Sequence, residues 1–278
     1  ENYLLNNIQN ITAYPKSSFY WGMKILEKEK RNAMFAIYAF CKKADSIADG
    51  RELKNIKKKK LKELRTEIEE IYNNKLNNNF RKTLKYYIDK YKLNKKYFLD
   101  IIKGVEMDIN DIMICPSKKV FNLYCYRVAG AVGLLSLKIF EYYNKKSKSF
   151  GLYLANALQI TNILRDIKED KSMGRMYIPR DILDKNRIKT NKIVLILKNK
   201  RFPDACRNLS NFADLNFNNA DKVLKSCSKK KLKSAILMMD TYKLLLKKIK
   251  KENWQNLDKK INLTSIEKVF LFIKGIIG

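Results

Sequence analysis

The 278-residue sequence has no histidine, which removes every mechanism built on an imidazole base, a histidine metal ligand or a Ser-His-Asp relay. Any chemistry must run on carboxylates, tyrosine, lysine, arginine, cysteine or a hard cation. Glycine (9) and proline (4) are scarce, so there is little punctuation for the tight turns of a sandwich or barrel, and no glycine-rich phosphate loop occurs. The five cysteines, Cys41, Cys115, Cys125, Cys206 and Cys227, are odd in number and lack C-x-x-C spacing. Neither a disulfide framework nor a structural zinc site is indicated, and a reducing, cytoplasmic setting is expected. The longest charge-free run, 150–164, is 15 residues and contains Asn156, Gln159 and Asn162. It falls short of the roughly 20 apolar residues that span a bilayer and reads as a buried helix. No basic n-region precedes an apolar stretch at the start, so no targeting segment is expected.

Acidic residues are also few, 28 against 59 Lys+Arg, for a net charge of +31. The basic residues are 48 Lys and only 11 Arg, whereas base-edge readout and bidentate phosphate clamps favour Arg. Lysine arrives together with Asn, as in the stretch 73–79, which compositional bias alone produces. Specific nucleic-acid binding is therefore not expected, while peripheral contact with an anionic membrane surface, such as the inner membrane, stays open. The excess is uneven: residues 104–190 carry 15 Lys+Arg against 9 Asp+Glu. The middle of the chain resists the bias, as a segment answering to packing and chemistry does.

What is present is helical periodicity over a length that buries a sizeable core. Ser17 or Ser18 caps a helix reaching Asp49, with Gly50 stopping it. Further helices are expected over 53–72, 81–91, 95–108, 118–142, 150–170, 203–226, 231–251 and 265–273. The run 175–179 reads as an extended connection before Pro179. The apolar end, 266–277 with two lysines, suits either an interfacial helix or packing against the body. With no repeat or composition break, the chain reads as all-α, one domain over 1–278, of about ten helices.

Two acidic stripes stand out. Tyr38, Lys42, Asp45 and Asp49 step by 4, 3 and 4 residues; Gln159, Asn162, Asp166 and Asp170 step by 3, 4 and 4. At 3.6 residues per turn each set lies on one helix face with apolar flanks. Burying paired carboxylates costs heavily unless a cation sits between them, and Mg²⁺, which takes hard oxygen ligands and keeps room for phosphate oxygens, suits the pattern. Solvated faces paired with lysines are the competing reading. A third segment, 122–133, places Ala129 and Gly133 at i, i+4, a face without bulk that permits close helix packing or passage of a long apolar ligand, with Tyr124 and Arg127 near a polar site.

These residues resemble the squalene/phytoene synthase family of head-to-head prenyl transferases. The likeness rests on Phe35-Ala36-Ile37-Tyr38-Ala39-Phe40-Cys41 leading into Asp45-x-x-x-Asp49; on Tyr124-Cys125 with Val128-Ala129-Gly130-x-Val132-Gly133; and on Gln159-x-x-Asn162-Ile163-Leu164-Arg165-Asp166-x-x-x-Asp170 followed by Gly174-Arg175-x-Tyr177-x-Pro179. Their order and separations match over roughly residues 15–190. The start Ser17-Ser18-Phe19-Tyr20 and the run 174–180 are most like the bacterial hopanoid-pathway branch, which makes presqualene diphosphate.

The resemblance implies an isoprenoid-synthase-like helical bundle with a central apolar cavity. It implies Mg²⁺-dependent condensation of two farnesyl diphosphates to presqualene diphosphate, without NADPH. Asp45, Asp49, Asn162, Asp166 and Asp170 are then the metal ligands, and the four aspartates with Tyr38 and Tyr124 the catalytic set. Ser18, Phe19, Lys42, Ala129, Gly133, Gln159, Arg165, Arg175 and Tyr177 are implied on the substrate, with Val128 and Leu164 in the apolar walls. Three positions depart from the pattern: Ser46 replaces a usual Asp, Lys42 a common Arg, and Tyr126 an acidic residue. A squalene, dehydrosqualene or phytoene synthase, or a catalytically silent relative serving as an interaction protein, are the alternatives the sequence leaves open, and it leaves the oligomeric state unread.

Overall fold

The computed structural model describes residues 18–277, which form helices without a strand among them. Helix α1 is Ser18–Lys24 and α2 is Lys28–Asp49. The single helix expected to reach Asp49 is thus two, parted at Ile25-Leu26-Glu27 with no proline or glycine to force the break. Tertiary packing imposes it: the Gly22 carbonyl accepts the Ser234 hydroxyl at 2.6 Å, which aims α1 away from the α2 axis. Ser17, one of the two expected caps, lies outside the described residues.

Helices α3 (Lys54–Tyr72), α4 (Asn79–Tyr91) and α5 (Lys95–Ile109) match the expected segments closely, with Asn78 and Asn94 accepting hydrogen bonds from Arg81 and Lys96 at their N-caps. α3 lies outside, as its charge predicts, and buries only the face of Leu61, Leu64, Glu67, Ile68 and Ile71. Glu67 is tolerated there because Lys43 reaches it at 2.5 Å and Arg81 at 3.4 Å.

The expected helix 118–142 comprises α6 (Lys118–Cys125), a π-helical turn at Tyr126–Gly130 and α7 (Ala131–Ile139). The stretch Lys118–Ile139 is long and apolar enough to cross a membrane, with mean hydropathy 1.4 over its best window, yet it packs against α5 and α8 within the body. Helix α8 (Lys145–Arg165) begins five residues before the expected start, because Asn144 and Ser147 form a capping box. It ends at Arg165: Asp166, at φ −102°, ψ 19°, separates it from α9 (Ile167–Ser172). The expected unbroken helix to Asp170 is therefore kinked, although Asp166 N–H still donates to Asn162 and Asp170 N–H to Asp166, both at 2.9 Å.

Gly174, at φ +73°, turns the chain into the extended run 175–179. Met176 exchanges backbone hydrogen bonds with 113–115, Cys115 N–H to Met176 at 2.7 Å and Met176 N–H to Met113 at 3.2 Å. Alternation then sends Arg175 and Tyr177 to the face opposite Met176. Two short helices that the sequence does not announce follow, α10 (Arg180–Lys185) and α11 (Ile193–Leu197). The last three are α12 (Phe202–Leu224), α13 (Lys233–Glu252) and α14 (Ser265–Ile277). α12 packs along α8, and α14 along α13 and α1. Phe40, Phe98, Phe150 and Phe202 are wholly buried in one continuous core.

The π turn lies over Gly104 of α5, where an added Cβ would sit 2.7 Å from Val128 Cγ1 and 2.8 Å from Arg127 Cβ. Arg127 Cβ is fixed by its backbone, and Val128 Cγ1 can move only by a change of a stiff χ1. Gly104→Ala is expected to destabilise the fold by about 1–3 kcal/mol despite its better helix propensity. Urea unfolding measures this, and unchanged or increased stability would show that the π turn has room to spare.

Candidate active site

A cavity of about 260 Å³ runs between α1, α2, the π turn with α7, α8 and α13. Its walls are mostly apolar, among them Met34, Val132, Leu137, Phe140 and Phe150. Tyr38, Cys41 and Asp45 border it from α2, and Gln159 and Asn162 from α8. Each stripe thus sends residues to one cavity, Tyr38 and Asp45 from the first and Gln159 and Asn162 from the second, while Asp49, Asp166 and Asp170 do not line it. Ala129 and Gly133 also line it; the wide π turn alters their helical register without removing them from the wall. Val128 borders the cavity as well. Leu164 does not: it is buried elsewhere, and its carbonyl accepts the Trp254 indole N–H at 3.0 Å. The wall role expected of Leu164 is thus corrected. Ser18 begins α1, but the side chains of Ser18 and Phe19 lie outside the described part of the structure.

Each stripe carries an arginine partner. Arg175, a buried residue, donates from Nη1 to Asp49 Oδ1 at 2.8 Å and places Nε 4.0 Å from Asp108 Oδ1. Arg165 grips the next residue in a two-point fork, Nε to Asp166 Oδ1 at 2.7 Å and Nη2 to Oδ2 at 2.5 Å. Lys42 is exposed beside Asp45 and is among the charges that ease ionisation of that carboxyl.

Asp108 on α5 was not read from the sequence. It accepts hydrogen bonds from Tyr177 at 2.8 Å and Tyr124 at 3.1 Å; the phenol oxygens are 3.2 Å apart, with their rings stacked at 5.1 Å. The extended run 175–179 brings Arg175 and Tyr177 to this carboxylate together. Tyr124 is buried behind it and does not border the cavity. A signal was available: Asp108 is a lone acid between the buried Met107 and Ile109, in the stretch that resists the lysine bias. Tyr242 on α13 was missed as well; it is buried beside Arg165 and Asn162, which hydrogen-bond its phenol. Nothing local in the lysine-rich α13 marks it.

Burial and crowding push three carboxyls upward. Desolvation first, then neighbouring Asp49, raises Asp45 to about 7, even though its side chain opens to solvent at the cavity mouth. Asp170 rises to about 8 through desolvation and then Asp166. Asp108 rises to about 6 through desolvation, restrained by Arg175 and the two phenols. Burial and Asp108 in turn push the Tyr124 phenol well above its ordinary range. Cys41 is likewise raised by burial and by Asp45, which leaves it an unreactive thiol in the wall.

The donors at the mouth are all oxygens, which suits a hard cation such as Mg²⁺. Asn162 Oδ1 is buried with no hydrogen-bond partner, as an amide oxygen waiting for a ligand would be. No three acidic or cysteine side chains among the described residues are close enough to enclose an ion unaided. Each ion would therefore take one or two protein oxygens and fill its shell with water and phosphate oxygens, the usual habit of Mg²⁺. Of the three departures, Ser46 is exposed and Lys42 keeps its charge at the mouth. The Tyr126 hydroxyl lies between Lys96 at 3.2 Å and Asp100 at 3.3 Å and does not border the cavity.

Residues 13–267 match the family profile "Squalene/phytoene synthase". A presqualene diphosphate synthase of Zymomonas mobilis is 35% identical over 253 residues, covering 91% of this chain and 86% of the relative. One from Sinorhizobium fredii is 33% identical over 230 residues, 83% and 82% of the two chains. A phytoene synthase of Mycobacterium tuberculosis is 33% identical over 177 residues, 64% of this chain and 58% of the relative. Among solved structures, a dehydrosqualene synthase in complex with ligand superposes with a TM-score of 0.82 at 22% identity, covering 97% and 94% of the two chains. A squalene synthase from Alicyclobacillus acidocaldarius gives 0.80 at 18% identity, covering 90% and 94%. At those identities the structures bear on the fold alone, and they agree with the all-α reading.

The missing histidine makes the raised carboxyls visible in a titration. Unfolded, they titrate near about 4, so between there and about pH 8 the folded chain holds more protons than the unfolded one. Their contribution to stability is full at the acid end and lost as pH rises through about 6 for Asp108, 7 for Asp45 and 8 for Asp170. In metal-free buffer the thermal midpoint is expected to fall between pH 5.5 and 8, and millimolar Mg²⁺ at pH 8 to restore it. A midpoint that climbs steadily with pH and ignores Mg²⁺ would refute this account of the site.

Proposed function

Since the chain belongs to the squalene/phytoene synthase family, a family of prenyltransferases, we propose that it condenses two farnesyl diphosphates head to head into presqualene diphosphate. The observation that carries this reading is the convergence of Asp45 and Asn162, from two separate acidic stripes, on one apolar cavity. Presqualene diphosphate synthases are 33–35% identical over 83–91% of the chain, whereas the phytoene synthase that matches over 91% of it is 27% identical, which favours presqualene diphosphate over squalene, dehydrosqualene or phytoene.

The reaction begins when the C1–O bond of one farnesyl diphosphate breaks and its electron pair leaves with the diphosphate. The double bond of the second molecule attacks the allylic cation, and loss of a proton closes the cyclopropane. Asp45, Asp49, Asn162, Asp166 and Asp170 are the residues we assign to Mg²⁺, which when bound supplies Lewis-acid stabilisation of the departing diphosphate. Arg175 and Arg165 hold Asp49 and Asp166 in position and, with Lys42, add fixed positive charge where negative charge develops. Tyr38 borders the cavity one helical turn from Lys42 and can donate to a diphosphate oxygen or take part in proton removal. Tyr124 and Tyr177 act one step back: they fix Asp108, which faces Arg175. Val128, Val132, Leu137 and Phe140 keep water from the carbocation.

Incubation with farnesyl diphosphate and Mg²⁺, with products identified by mass spectrometry, tests the proposal. Presqualene diphosphate is expected with or without NADPH. Squalene formed only with NADPH would reassign the product, and no product from a folded sample would reject the reaction. Asp45→Asn and Asp166→Asn are each expected to lower kcat by about 10²–10³-fold with the fold retained. Tyr177→Phe removes one hydrogen bond to Asp108 without emptying the site, and a loss of about tenfold in kcat is expected if that bond holds Asp108 and Arg175 in place.

A further inference from the structure

Helix α14 faces two ways. Its inner side is fastened to the body: Leu271 is buried, Phe272 packs edge-on against Trp21 of α1 with ring centres 5.2 Å apart, and Gly275 lies against Leu237 of α13. At its start, Lys248 of α13 pairs with Glu267 at 2.8 Å. The outer side carries Ile266, Val269, Phe270 and Ile273, which are 82%, 46%, 69% and 49% exposed. Their i, i+3, i+4, i+7 spacing makes one continuous apolar stripe turned to solvent. An amphipathic helix normally buries that stripe, and this one uses a different face for the body. Such an exposed patch costs solubility and marks a contact.

Two observations identify the contact. The C-terminal segment that carries the stripe is strongly basic in sequence, with 15 lysines against 4 acidic residues over 222–278, and Lys229, Lys230 and Lys231 are exposed just before α13. A surface that offers both apolar depth and negative charge fits this, and an anionic bilayer offers both. The helices beneath α14 also line the substrate cavity: Met23 comes from α1, and Ser234, Ala235 and Met238 from α13. A helix seated in the headgroup layer would thus hold the cavity next to the apolar phase in which long prenyl products partition.

We propose that the Ile266–Ile273 face of α14 inserts into the interface of an anionic lipid bilayer, with exposed lysines of the same C-terminal segment on the headgroups. Neither element suffices alone, because stable peripheral attachment takes an apolar insertion and a basic patch together. The reading requires that binding depend on both.

The test is flotation of the purified full chain with vesicles of neutral phosphatidylcholine or of phosphatidylcholine with one-third phosphatidylglycerol, at 0.15 M salt. Strong binding to the anionic vesicles and weak binding to the neutral ones is expected. The variant Phe270→Ser/Ile273→Ser should bind the anionic vesicles roughly tenfold or more weakly. Leu215→Ser, which removes an equally exposed apolar side chain on α12, should bind as the parent does. Thermal melting and turnover of soluble farnesyl diphosphate should be unchanged in both. Equal binding by the double variant would reduce the contact to charge alone and overturn the insertion. Absence of binding to anionic vesicles would overturn it too. A parent that is dimeric by sedimentation, with the double variant monomeric and neither binding vesicles, would assign the face to a second copy instead. Vesicle binding needs no catalytic activity, so its outcome is independent of the reaction proposed above.

Discussion

One guanidinium ties the acidic mouth together. Arg175 emerges on the extended run after Gly174, is almost wholly enclosed, and reaches both Asp49 on α2 and Asp108 on α5. Without it the buried Asp108 would keep only its two phenol partners against the neighbouring charge of the exposed Asp49, and the cost of ionising Asp108 would rise. The extended run exists because Gly174 supplies a left-handed turn and because Met176 finds backbone partners at 113–115. The placement of this one side chain thus rests on a glycine and an alternation of side-chain direction, both local, and on a short bridge to a segment distant in sequence.

The same pocket explains why the lysine excess does not invade it. Outside, the lysines serve as solvated partners: Lys54 to Asp111, Lys95 to Glu69, Lys250 to Asp214. Such pairs are worth little individually and tolerate drift in composition. At the mouth, charge is supplied mostly by arginines in fixed geometries, the fork of Arg165 on Asp166 and the bridge of Arg175. A point charge on a flexible stem does not replace a planar fork there. Lys42, exposed at the rim, is the exception.

Much of this was legible beforehand. The all-α class and most helix bounds follow from period-3.6 spacing, and the extended run from the residue before Pro179; that the two stripes face one site came only as an implication of the family resemblance. What escaped depends on tertiary contact. The break between α1 and α2 is not marked locally, since the Ser234 hydroxyl that donates to the Gly22 carbonyl comes from 212 positions away in sequence. Asp108 carries only the faint signal of an acid between two apolar residues until Tyr124, Tyr177 and Arg175 gather round it, and Tyr242 belongs to a helix whose composition hides it. The kink at Asp166 and the π turn are likewise invisible to periodicity, because each changes the backbone by a single residue. Leu164 fits the wall pattern by position, but its helix face is taken by Trp254.

That π turn separates two duties along one rod. Before it, α6 presents Tyr124 to Asp108; after it, α7 presents Val132, Gly133 and Leu137 to the cavity. A regular α-helix advances about 100° per residue, whereas the wide turn takes in one more residue within the same full turn. Bound as a regular helix, the same five residues would swing α7 by about 100° relative to α6. Either the phenol would leave its carboxylate or the cavity would lose its wall. The wide hydrogen bonding of this one turn, more than any single side chain in it, thus sets the angle between the two faces.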